Sequence, residues 1–121
     1  MAPSSAADEV NLENLARMVS YDFVILQDLV ETFLGNTPLL ITAMQTGYEQ
    51  HNQAELVRNA HTLKSTSRLF QMEQFAHQCQ ALEEAAHAQD WALVATLLQQ
   101  LEQDYQAIAA ALALKLAQLM T

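Results

Sequence analysis

The stretch DFVILQDLVETFLGNTPLLITAMQTGYEQ, residues 22–50, determines the number of helices in the fold, because it forms either one long helix or two helices joined by a loop. Its tetrapeptide Gly35-Asn36-Thr37-Pro38, taken alone, predicts that one helix stops and another starts with proline in its first turn. The helical periodicity nevertheless continues across the tetrapeptide, through positions 26, 30, 33, 37, 40 and 44. We therefore predict one long, kinked helix over about residues 22–50, with Asp22 as its N-cap.

A short helix precedes this segment and three longer helices follow it. Asn11, Asn52 and Asp90 each stand before a run with helical spacing of apolar residues, and they are candidate N-caps. The spacing predicts a short first helix after Asn11 and longer helices over about 53–70, 73–87 and 91–119. Because the connections are short, helices adjacent in sequence should be antiparallel. The predicted fold class is all-α, an up-down-up-down four-helix bundle with a short leading N-terminal helix.

The composition agrees with a single helical domain. The chain has 121 residues, only two glycines and two prolines, and a net charge of −9. Residues 1–10 lack hydrophobic periodicity, so we predict a disordered lead-in there and one domain over residues 11–121. The lead-in has no features of a secretory signal, and no apolar stretch approaches the ~20 residues of a membrane span. The lone Cys79 cannot form an internal disulfide, which favours a reducing, cytoplasmic location.

The negative charge and the motifs that are missing argue against several functions. Nucleic acid and anionic membranes would be repelled over most of the surface. No Gly-rich phosphate loop occurs in the sequence, so we expect neither ATP binding nor self-phosphorylation. Glu84 and His87 have the Glu-x-x-His spacing of di-iron bundles, but such a site needs two copies and only one is present. We therefore expect no metal site and no cofactor bound by this chain.

The basic residues are concentrated around one histidine. Three of the five, Arg58, Lys64 and Arg68, lie within eleven residues of one another, with His61 between them. On a helix these three fall within about 60° of His61, whereas Leu63 lies about 200° away on the apolar side. Nearby cations disfavour imidazolium and would stabilise a phosphoryl group on the neutral ring, which is the nucleophilic form. The residues alone leave two alternatives open, a phosphate-handling histidine and a solvated helix face.

A resemblance to a known family extends over most of the chain. The segment A-H-T-L-K-S-T-S, residues 60–67, resembles the signature H-x-L-K-G/S-x-S of histidine-containing phosphotransfer (HPt) domains. The Phe-Leu pair at 33–34 and the Thr-Pro-Leu-Leu segment at 37–40 are similar to the family's second helix. The turn at 88–91 also matches in kind, as do Cys79, Leu82 and Glu83 after the motif. The resemblance covers about residues 11–118. It implies a four-helix-bundle phosphocarrier of two-component phosphorelays, without kinase activity of its own.

The resemblance also implies a role for each residue of the motif. His61 would accept the phosphoryl group and Lys64 would neutralise its oxygens. Ser65 takes the place usually held by glycine, where a small side chain lets a partner come close, and Ser67 faces the core. The implied partners are receiver domains, one that donates a phosphoryl group from its aspartate and another that accepts it. The Mg²⁺ needed for transfer would be bound by the receiver.

Two positions depart from the family pattern, and two more are supporting candidates. Gln71 stands where the family usually has the glycine that ends the helix, so the turn needs another left-handed residue or a longer run. Arg68 replaces a small residue, and it either strengthens phosphate binding or biases the choice of partner. Arg58 is a further supporting cation. In a tight hairpin of the third and fourth helices, Gln78 would come level with His61 and could hydrogen-bond the imidazole or the phosphate.

A second function remains open on the sequence. The chain could be a helical adaptor that binds a receiver or a partner helix without taking phosphate, although an adaptor would not need the cations around the histidine. Under either function we expect a monomer. It would dock through the exposed face of the second and third helices, with a modest and transient interface.

Overall fold

The structure, a computed structural model, describes residues 6–121 and is helical almost throughout. A 3-10 turn at Ala6–Glu9 precedes five α-helices: α1 (Leu12–Met18), α2 (Phe23–Glu49), α3 (Gln53–Leu69), α4 (Glu73–His87) and α5 (Trp91–Leu119). No strand occurs in the described part of the chain. The predicted all-α fold is confirmed, and the ends of the four long helices agree with the prediction to within one residue.

The four long helices form a closed bundle. Each of α2 to α5 packs against its neighbours in sequence, and α5 closes the bundle by packing against α2. The short α1 contacts α2 and α5 and buries Leu12, Leu15 and Ala16. The four predicted N-caps are also present, because each side chain accepts a hydrogen bond from a backbone N–H of the first turn; they are Asn11, Asp22, Asn52 and Asp90.

The long helix α2 continues through its proline, as predicted. Pro38 has no N–H, so it cannot bond to the carbonyl of Leu34 four residues earlier. The Tyr105 hydroxyl of α5 donates a hydrogen bond of 3.3 Å to that carbonyl instead. Burial raises the pKa of Tyr105, which keeps its hydroxyl protonated as a donor. A side chain from another helix thereby satisfies the backbone group that the proline leaves unpaired.

By length and composition alone, α2 could also span a membrane. Its most apolar stretch of 18 residues has a mean hydropathy of 1.2 and at most 2 charged residues. The sequence-based expectation that no apolar stretch approaches this length is therefore wrong. In the structure α2 is a bundle helix, with Leu26, Val30, Phe33 and Met44 buried against the other helices. Its apolar character on the core side follows from that packing.

The turns between helices use left-handed residues that are not glycine. His51, Gln71 and Gln89 have φ of 51°, 60° and 55°, and each follows the last turn of a helix. At Gln71 the backbone N–H bonds to the Arg68 carbonyl and the next N–H bonds to the Ser67 carbonyl, which is the Schellman arrangement. The expectation that another left-handed residue or a longer helix would replace the family glycine is wrong, because Gln71 itself adopts the left-handed conformation.

We expect Gln71→Gly to stabilise the protein by about 0.5–1 kcal/mol, because glycine removes the steric cost of a left-handed side chain. Urea unfolding monitored by circular dichroism measures the change. Gln99→Gly is the matched control, since Gln99 is exposed inside α5, and there the same replacement should destabilise by about 1 kcal/mol. A destabilising effect at both positions would contradict the assigned turn.

The predicted disordered lead-in over residues 1–10 is wrong for its second half. Val10 is buried, and the Glu9 carboxylate accepts hydrogen bonds from the backbone N–H groups of Gln74 (2.7 Å) and Phe75 (3.0 Å). The N-cap residue of α4, Met72, has no side-chain cap of its own, so Glu9 supplies it from a distant part of the chain. This contact has no local sequence pattern, which is why periodicity missed it. Residues 1–5 lie outside the described residues.

Candidate functional site

His61 lies on the outward face of α3. Its side chain is 63% exposed, whereas Leu63, two residues further along the helix, is fully buried in the core. The other buried side chains of α3 include Leu56, Ala60 and Ser67, and they share the face of Leu63. Because His61 contributes nothing to that core stripe, its imidazole is available to a partner in solution.

Glu83 of α4 connects His61 to Lys64. Its Oε1 atom lies 2.8 Å from Lys64 Nζ and 3.4 Å from His61 Nδ1. This oxygen is buried and has no aligned hydrogen bond within the described residues, so both contacts are primarily electrostatic. The side chains of Lys64 and Glu83 are only 12% and 14% exposed. Solvent therefore screens this ion pair far less than it screens an exposed one.

Sequence reasoning did not assign Glu83 to the site, although a signal was present. Glu83 lies four residues after Cys79 and three before Ala86, and both of these are buried. A carboxylate on such a buried stripe requires a cation or a hydrogen-bond donor opposite it. Lys64, on the helix paired with α4, is that cation.

Two of the three cations predicted around His61 are paired with carboxylates of this chain. Arg58 donates from Nη2 to both carboxylate oxygens of Glu55, each at 2.6 Å, because Glu55 lies one turn earlier on the same helix. Lys64 is held by Glu83 from the neighbouring helix. The Arg68 side chain is exposed and makes no hydrogen bond or ion pair with any described residue.

The hydroxyl side chains beside His61 bond to their own helix. Ser65 Oγ donates to the His61 carbonyl at 3.2 Å, and Thr62 and Thr66 bond in the same way to carbonyls four residues earlier. Because the Ser65 hydroxyl bonds to the backbone, this small side chain does not project from the helix surface next to the imidazole. Ser67 is fully buried and donates to the Leu63 carbonyl at 2.7 Å, as expected for a residue that packs in the core.

Gln78 does not lie at His61. Its Nε2 donates to the Asp104 carboxylate of α5 at 2.6 Å. Gln78 and Glu83 differ by five residues, which places them about 140° apart around α4. Glu83 faces α3, so Gln78 faces α5, and the predicted hydrogen bond from Gln78 to the imidazole or phosphate is a wrong assignment.

A largely apolar groove of about 500 Å³ runs between α2 and α3. Thr62, next to His61 in sequence, lines its α3 side, and Leu69 lines it further along. Ile25 and Leu39 line the α2 side, and these two side chains and Leu69 are between 46% and 69% exposed. An exposed apolar surface beside an exposed histidine is suited to contact with another protein.

Of the remaining reactive side chains, Cys79 packs in the core, and Glu84 and His87 are exposed. Cys79 is buried, and burial followed by the nearby Glu83 charge raises its pKa to about 12, so the thiol stays protonated and unreactive. His87 Nδ1 lies 3.4 Å from the Gln53 amide nitrogen, and the Glu84 carboxylate accepts from Gln80. Within residues 6–121, no three histidine, cysteine, aspartate or glutamate side chains are grouped to hold a metal ion.

Comparison with known protein families gives one finding. A family model described as "Hpt domain" matches residues 28–111, which is more than half of the chain. The matched region runs from α2 into α5 and contains His61, Lys64 and Glu83. Comparisons with curated proteins and with solved structures give no significant match.

Proposed function

This chain belongs to the Hpt domain family, and from that premise we propose that His61 accepts a phosphoryl group from the aspartate of one receiver domain and passes it to another. Hpt domains are phosphocarrier modules of two-component phosphorelays and are not kinases. The observation that carries the assignment to His61 is its position, 63% exposed on the motif helix with Nδ1 turned toward a buried carboxylate. We place the protein in the cytoplasm as a monomer.

The geometry favours Nε2 as the reacting atom. Glu83 lies near Nδ1 and stabilises the tautomer in which Nδ1 carries the proton, so the lone pair is on Nε2. That lone pair attacks the phosphorus of the receiver's aspartyl phosphate, and the bond between phosphorus and the aspartate oxygen breaks. The electron pair leaves with the aspartate carboxylate. The positive charge that develops on the ring is balanced by Glu83, because Nδ1 keeps its proton throughout.

Lys64 would stabilise the phosphoryl oxygens from one turn along α3. Its ammonium group is already next to Glu83, so the incoming phosphoryl group would share it with that carboxylate. We expect no cofactor on this chain. The Mg²⁺ that assists transfer would be held by the receiver, and it supplies charge neutralisation at the aspartyl phosphate.

The receiver would dock on the groove between α2 and α3. The exposed apolar side chains of Ile25, Leu39 and Leu69 offer a surface for a modest, transient interface. The small Ser65 side chain, which does not project from the helix, would let the receiver's active site come close to His61.

Phosphoryl transfer from a panel of labelled, phosphorylated receiver domains tests this function. We expect label to move to the wild-type protein, to be lost in acid and to be retained in alkali, because a phosphoramidate has that stability. The same panel also examines the alternative function of an adaptor. Stable binding to a receiver without transfer of label to this protein would overturn the proposal in favour of the adaptor.

A further inference from the structure

We propose that Arg68 is a specificity-determining residue, which selects receiver domains by pairing with a carboxylate on the docked receiver. This role rests on the proposed phosphotransfer function and adds to it the chemical feature by which partners are distinguished. On the sequence, Arg68 could equally have served to bind the phosphoryl group. Its distance from His61 along α3 favours the contact with a partner.

Arg68 differs from the other cations near the site in having no partner within the chain. Arg58 and Lys64 are each paired with a carboxylate, and Lys115 donates to a backbone carbonyl. Among residues 6–121, the exposed Arg68 and Arg17 are the basic side chains that make no hydrogen bond or ion pair with another described residue. The guanidinium of Arg68 is therefore available to an external acidic group without first breaking an internal contact.

The position of Arg68 favours contact with a partner over contact with the phosphoryl group. It lies seven residues after His61, which is about 10.5 Å along the helix axis and about 20° around it. Lys64 lies three residues from His61, one turn away, and is much closer to the ring. Arg68 is thus on the same outward strip as His61 but two turns away.

The docking groove extends along α3 as far as the residue next to Arg68 in sequence. Leu69, its neighbour in sequence, is 46% exposed and lines the groove. A receiver that fills the groove and reaches His61 must also cover the strip between His61 and Arg68. A guanidinium at the edge of an apolar contact can form two parallel hydrogen bonds with one carboxylate, which makes it sensitive to the partner's residue at that point.

The charge of the whole protein increases this discrimination. With a net charge of −9, most of the surface repels acidic groups. An unpaired arginine on the docking face is a local exception, so a receiver with a carboxylate opposite Arg68 gains an attraction. A receiver with a lysine or arginine there is disfavoured, because like charges would meet at the interface.

The test compares the rate of phosphoryl transfer, at receiver concentrations below saturation, for wild type, Arg68→Gln and Arg68→Glu across a receiver panel. Arg17→Glu is the matched control, since it changes the net charge by the same amount on the exposed surface of α1. Circular dichroism establishes that each variant is folded at the assay temperature. We expect Arg68→Glu to slow transfer from the preferred receivers by about tenfold or more at low salt. Receivers with a basic residue at the contact should be unaffected or faster, and Arg17→Glu should match wild type.

Three other outcomes of this test would each contradict a different part of the proposal. Equal rates for Arg68→Glu and Arg17→Glu with every receiver would overturn the selectivity of Arg68 while leaving phosphotransfer intact. Equal slowing with every receiver, together with faster hydrolysis of the phosphorylated Arg68→Gln protein, would assign Arg68 to phosphate binding instead. Failure of every receiver to label the wild type would overturn the proposed function, and the role of Arg68 with it. A compensating change of the preferred receiver's acid to lysine should restore transfer to Arg68→Glu.

Discussion

Replacing His61 by glutamine is expected to abolish labelling by every receiver, while the free energy of unfolding changes by no more than about 0.5 kcal/mol. The loss is complete because an amide nitrogen has no lone pair available for attack on phosphorus. The small effect on stability follows from the position of His61, which is 63% exposed and outside the core stripe of α3. Transfer of ³²P from phosphorylated receivers and urea unfolding measure the two quantities.

The matched control for this variant is His77→Gln. His77 is an exposed histidine on α4, so the control removes an imidazole without touching the proposed site. We expect His77→Gln to be labelled at the wild-type rate. If His61→Gln is still labelled and His77→Gln is not, the wrong histidine has been assigned. A loss of several kcal/mol of stability in His61→Gln would show instead that the imidazole packs in the core.

The fold could be predicted because its determinants are local in sequence. Helical spacing and the four N-caps are each readable within a few residues, and they place the long helices to within one residue of their observed ends. The face of His61 followed from the same spacing, since Leu63 and Ser67 define the buried side of α3. The continuity of α2 through Pro38 was also predictable from periodicity, although the hydrogen bond from Tyr105 that supports it was not.

The parts of the site that could not be predicted depend on how helices rotate against one another. Pairing α3 with α4 correctly placed this stretch of α4 level with His61. It could not decide that Glu83, rather than Gln78, faces the histidine, because that requires the rotation of α4 about its own axis. The pairing of Arg58 was missed for a different reason. The count of cations around His61 did not consider Glu55, a carboxylate one helical turn before Arg58.

The second large effect is expected from breaking the pair between Lys64 and Glu83. Lys64→Met leaves the Glu83 carboxylate largely buried, without the ammonium group that lies 2.8 Å from its Oε1 atom. We expect this variant to lose about 2–3 kcal/mol of stability, slightly less than a fully buried pair, because Glu83 keeps some contact with solvent. Glu83→Gln should cost only about 1 kcal/mol, since the long side chain of Lys64 can move its ammonium group into water.

Urea unfolding of both single variants and of the double variant gives the coupling energy of the pair. We expect a coupling of about 1–2 kcal/mol, because the side chains are in direct contact and are shielded from solvent. Strict additivity of the two single changes would mean that the ion pair does not form in solution. In that case Lys64 would not be held by Glu83, and Glu83 would have no part in the site.

The same two variants should separate the functional roles of the pair. Lys64→Met removes the charge that neutralises the phosphoryl oxygens, and we expect transfer to slow by about tenfold, which corresponds to about 1.4 kcal/mol of transition-state stabilisation. Glu83→Gln should also slow transfer, because the carboxylate that balances the positive charge developing on the ring has been removed. Transfer at the wild-type rate in either folded variant would contradict the role given to that residue.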